Sequence, residues 1–184
     1  MRKIALFGLT MLLMIIMFGC FPSRNIQYFE SCNYDATKNI TRFEKLPLGY
    51  VDIPGKWYET TYNDYSKQQF FKNADSVSIA VVFWPQNQYS IYKHGETNMA
   101  FLKDYYDMNV KTIAMQSKGQ WSIIKQDSIN QNYILSKFYN DSKVDTYYLY
   151  GLINGSFYNL FVKTNKWNEQ QKIDFLESMF IHKK

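Results

Sequence analysis

The chain has 184 residues, with 21 Lys+Arg against 16 Asp+Glu, 2 Cys, 8 Gly and 4 Pro, and 46% of it is hydrophobic. That length fits one domain with appendages; so few Gly, Pro and Cys exclude collagen-like, low-complexity and disulfide-rich scaffolds. Its 16 Tyr, 14 Phe and 4 Trp exclude a wholly disordered chain, and its +5 net charge comes from scattered lysines, which predicts a solvated cationic surface and no nucleic-acid partner.

Arg2 and Lys3 precede Ile4–Gly19, a stretch without a charged residue. It is shorter than the roughly 20 apolar residues of a spanning helix. Residues 1–19 therefore read as a signal peptide. The positive pair keeps the N-terminus in the cytoplasm and sends the rest of the chain outward. Gly19-Cys20 resembles the lipobox of bacterial lipoproteins in a relaxed form, with Met17 where Leu is commonest and Phe18 where a small residue is usual. The resemblance implies cleavage between Gly19 and Cys20. It also implies diacylglycerol on the Cys20 sulfur and an acyl chain, such as palmitate, on the new amino group. Phe21 stands where Asp would retain an enterobacterial lipoprotein in the inner membrane, so the periplasmic face of the outer membrane is favoured. Cys32 then has no intrachain partner; without lipid on Cys20, the two thiols could close a loop in an oxidising compartment.

Residues 20–47 read as a lipidated N-terminus and tether, and 48–184 as the globular domain. Strands are expected at Gly49–Ile53, Trp57–Tyr62, Gln68–Lys72 and Ser76–Trp84, with Tyr89–Tyr92 extending the sheet after Pro85. The period then changes. Leu102, Tyr106, Val110 and Ile113 share one face of a helix over 98–116, capped by Thr97 and ended by Gly119. Next come four antiparallel strands, Gln120–Gln126, Asn132–Tyr139, Val144–Ile153 and Ser156–Thr164, the last two joined by a type I′ turn at Asn154-Gly155. Asn168 and Gln171 form a capping-box pattern before a final helix. Its stripe is Ile173, Leu176, Met179 and Phe180, with Lys172, Asp174 and Glu177 facing water. His182 and the two lysines after it complement its C-terminal end.

Strands, one long helix, an antiparallel meander and a C-terminal helix make an α+β arrangement. With GYVDIPGKW, FFKNADSVSIAVV and WNEQQKIDFLESMF, this order resembles the Mog/PsbP superfamily, including bacterial lipoproteins of the DcrB type. The resemblance implies a PsbP-like α/β/α sandwich and no shared catalytic residues, cofactor or metal.

No G-x-S-x-G, H-E-x-x-H, C-x-x-C or P-loop pattern occurs. His94 and Glu96 form an H-x-E without the cysteines of a zinc deaminase. Asp104 with Asp107, and Asp141 with Asp145, could act as carboxylate pairs only across a cleft. Trp57, Trp84, Trp121 and Trp167 could serve core or contact surface. The sequons at Asn39, Asn140 and Asn154 are accidental in a bacterial envelope protein. The expectation is a non-enzymatic, membrane-anchored envelope lipoprotein that binds a protein partner. The alternatives are an aromatic-faced module for a small ligand or glycan, and a hydrolase built from His94, Glu96, Asp104 and Asp107.

Overall fold

A computed structural model describes residues 28–129, 132–140 and 144–181. Cys20, Gly19, Asp141 and His182 lie outside the described residues. The fold is α+β with antiparallel sheets. Strands β1 (Phe29–Asp35), β2 (Ile40–Leu46) and β3 (Gly49–Pro54) form a three-stranded sheet in the order β1-β2-β3. The remaining strands are β4 (Tyr58–Asn63), β5 (Gln68–Lys72), β6 (Ser78–Pro85), β7 (Gln120–Asp127), β8 (Tyr133–Tyr139), β9 (Thr146–Ile153) and β10 (Ser156–Lys163). They make a seven-stranded sheet in the order β4-β5-β6-β10-β9-β8-β7.

Helix α1 (Asn98–Gln116) covers one face of the large sheet, and helix α2 (Glu169–Ile181) lies on the other beside the small sheet. On the α2 face, Phe43, Val51 and Ile53 of the small sheet meet Ile79, Leu149 and Leu160 of the large one. Leu176, Met179 and Phe180 close this core. On the α1 face, Phe101 and Leu102 pack against Ile134, Tyr150, Leu152 and Phe157. Strand β9 serves both cores because successive side chains alternate.

The local signals explain these boundaries. Thr97 Oγ1 accepts from the Ala100 N–H at 3.2 Å. Asn168 and Gln171 cap each other reciprocally at 2.9 Å. Asn154 and Gly155 have φ of 50° and 77°, as a type I′ turn requires.

Four expectations are corrected. The tether read within 20–47 gives way to two strands from Phe29 onward, with β1 pairing β2 along its whole length. Thr41, Phe43 and Lys45 alternate inward, which supplies the burial a tether lacks. Tyr89–Tyr92 does not extend the sheet. After Pro85 the chain makes a single 3₁₀ turn at Gln86–Gln88, and Tyr89 packs on Phe157 with ring centroids 5.0 Å apart. Helix α1 ends at Ser117 rather than through Gly119, where a Cβ would come within 2.4 Å of the Phe138 ring. Lys172 and Glu177 do not face water. Lys172 is buried over the Tyr147 ring, and Glu177 accepts from Tyr133 and Lys125.

Candidate functional site

Of the residues proposed for hydrolysis, Asp104 and Asp107 line one pocket beside Lys93, and His94 and Glu96 do not join them. Glu96 Oε1 accepts from the Lys93 N–H at 2.7 Å and closes the turn before α1. Asp104 pairs with the Lys93 ammonium at 2.5 Å. His94 and Asp107 are exposed. Asp145 is held by Lys137 at 2.9 Å.

The four tryptophans do not form one array, and only Trp57 and Trp167 meet. Trp57 is buried, donates from Nε1 to the Pro54 carbonyl at 2.6 Å, and stacks edge-on to Trp167. Trp121 lies under α1 against Tyr106 and Tyr148. Trp84 reaches the end of β6, where its ring is 4.7 Å from Tyr28.

The exposed aromatics gather instead along β1 and β4. All six β4 residues are exposed. Tyr and Thr suit such an edge, because they favour extended backbone and tolerate water on one side. Lys56 precedes β4 and places its ammonium 5.4 Å from the Tyr34 ring and 5.5 Å from the Tyr58 ring. These rings are 38% and 53% exposed. They frame one cation within cation–π range, open to a partner.

At the other end of the strip, Lys45 is buried. Its ammonium lies 4.8 Å from Trp84, 5.6 Å from Tyr62 and 5.7 Å from Tyr28, and pairs with Glu30. Between the two lysines sit Cys32 and Glu59. Burial, then the Glu59 charge, pushes the Cys32 thiol up to about 11. Burial, then Glu30, raises the Glu59 carboxyl. Cys32 is therefore a protonated thiol at neutral pH, a poor nucleophile. The strip offers ring faces and a cation, which are means of binding.

This strip is hidden in the sequence because the residues of β1 and β2 read as tether. The available signal was the Asp35–Asn39 turn. Asp35 Oδ1 accepts from the Thr37 N–H at 2.9 Å, and Asn39 has φ of 51°. An Asx turn between two alternating runs marks a hairpin.

A second polar group on α2 is internally tied. Tyr147 donates to Glu169 at 2.7 Å, and Lys137 bridges Glu169 at 3.3 Å and Asp145. The Tyr147 hydroxyl, then Lys137, holds Glu169 below the usual carboxylate range. Burial lowers Lys172. Among the described residues there is no group of three or more His, Cys, Asp or Glu placed to hold a metal ion. No helix of the described residues is long and apolar enough to cross a membrane.

No protein-family model matches the chain, and no curated protein matches it. The chain is similar to the solution structure of cyanobacterial PsbP (CyanoP) from Synechocystis sp. PCC 6803. The TM-score is 0.45 at 13% identity, over 90% of this chain and 94% of that one.

Proposed function

We propose that this chain is a bacterial envelope lipoprotein. It is anchored through acylated Cys20 and uses the Tyr34–Lys56–Tyr58 platform to bind a protein partner at the membrane surface. The charge-free leader ending at Gly19-Cys20 supports the anchor, and Phe21 supports the periplasmic face of the outer membrane. The observation that carries partner binding is the open platform itself. Two exposed rings, Tyr34 of β1 and Tyr58 of β4, frame the Lys56 ammonium beside a strand whose six residues are all exposed. Tyrosine lends itself to contact surfaces because it presents a large amphipathic ring with few torsions to freeze.

Anchoring strengthens such a contact. Confining both proteins to one surface raises the effective concentration of each for the other. The role is binding without catalysis.

The test is site-specific photo-crosslinking in the cell envelope. A photoreactive residue at Tyr58 is expected to give a discrete heterologous adduct that is lost on Cys20→Ser. The same group at Met115, 86% exposed on α1, is expected to give none. Equal adducts from both positions, or none from Tyr58, would contradict the platform as a partner site.

A further inference from the structure

The end of the domain where the described chain begins carries an uncommon set of exposed apolar side chains. Phe29 and Leu46 are direct partners across β1 and β2, 62% and 44% exposed. Tyr65, 96% exposed, projects from the β4–β5 turn, three residues beyond Tyr62. These groups share one end because the Lys45 ammonium lies within cation–π range of Tyr28, Tyr62 and Trp84 together. We infer that this tip docks on the lipid bilayer, with Phe29, Leu46 and Tyr65 entering the interfacial layer.

The inference rests on the Cys20 anchor proposed above. Seven residues separate Cys20 from Tyr28. At ~3.3–3.6 Å per residue they span at most roughly 30 Å, which keeps the tip within that reach of the anchor. Aromatic side chains with polar ends favour the headgroup level, and Phe and Leu favour the acyl boundary beneath it. Coulomb attraction is not the main force. Lys45 pairs with Glu30, Lys67 lies 3.9 Å from Asp64, and Glu44 adds a further negative charge. A zwitterionic surface therefore suffices, and docking is insensitive to salt.

The opposite end supplies a control. Strand register sets Trp84 beside Phe157, the ring against which the start of α1 packs through Phe101. Helix α1 then runs past Trp121 toward Met115, so Met115 lies away from the tip.

The test uses the full chain, expressed and processed in a bacterial host and reconstituted into phosphatidylcholine vesicles with brominated acyl chains. Phe29→Trp is compared with Met115→Trp after subtraction of the native tryptophan emission, and Tyr65→Trp replaces Phe29→Trp if the latter misfolds. Intact mass is read on the same samples. Acylated protein with strong quenching at the tip, unchanged by salt, and none at 115 is expected. Acylated protein with equal quenching at both positions, or none at the tip, overturns the docking and leaves the anchor standing. Protein without acyl mass overturns the anchor, and the docking with it.

Discussion

The two faces of the seven-stranded sheet are covered in different ways. On the α2 face, polar groups enter the core with their partners. Thr41 Oγ1 donates to the Gly55 carbonyl at 2.8 Å and accepts from the Trp57 N–H at 2.9 Å. Tyr133 and Tyr147 donate to Glu177 and Glu169. On the α1 face, Trp121 Nε1, Ser136 Oγ and Asn159 Oδ1 are buried without a hydrogen-bond partner. Only Phe101 and Leu102 of α1 are buried, and both lie in its first turn and a half. The α2 face is a finished core, whereas the α1 face is held by one end of its helix and by tilted ring pairs such as Tyr105 with Phe157 at 4.3 Å. A face closed by satisfied polar groups resists change at any of them; one closed by rings over orphaned polar atoms tolerates, and can gain from, replacement of those atoms.

Matched truncations break this comparison most strongly. Leu176, fully buried on α2, is expected to lose about 2–5 kcal/mol of stability on Leu176→Ala. Ile113, half-buried late in α1, is expected to lose about 1 kcal/mol on Ile113→Ala, since less apolar surface returns to water. Urea denaturation of both variants checks this. Equal losses would show that α1 is seated along its whole length.

Polar substitutions are expected to move stability in opposite directions on the two faces. Tyr133→Phe removes a hydroxyl bonded to Glu177 at 2.5 Å and is expected to cost about 1 kcal/mol. Ser136→Ala removes a buried hydroxyl with no partner and is expected to stabilise by about 1 kcal/mol, the relief of its desolvation. Thermal unfolding reads both signs. Destabilisation by Ser136→Ala would mean that the hydroxyl is bonded.

The smallest effect concerns pH. The Tyr147 hydroxyl, then Lys137, lowers Glu169 in the folded state. Its contribution is complete above the unfolded carboxylate value near ~4.3 and is lost as pH falls through the lower folded value. Glu169→Gln is therefore expected to flatten the acid limb of stability against pH. An unaltered acid limb in a pH series of denaturation curves would remove Glu169 from that account.

The elements that were legible in sequence carried local signals. The span of α1, the Asn154-Gly155 hairpin and the Asn168/Gln171 cap each depend on residues a few positions apart. Structure decided by distant contacts was hidden. Lys172 reads as solvent-facing until Tyr147 is placed beneath it, and β1 and β2 read as tether until the large sheet lies against Phe43. The strip was hidden for the same reason. Lys56 sits near Tyr34 through tertiary placement, and no spacing announces that pair. The exposed tip was equally invisible, because Phe29 and Leu46 are 17 positions apart and meet only through a hairpin.

The account depends above all on the anchor at Cys20. Mass analysis of the N-terminal proteolytic peptide from membrane-extracted protein measures it directly. The result expected is a peptide that begins at Cys20 and carries diacylglyceryl and N-acyl mass. A peptide that begins at Met1, or a Cys20 that carries no lipid, would contradict the account.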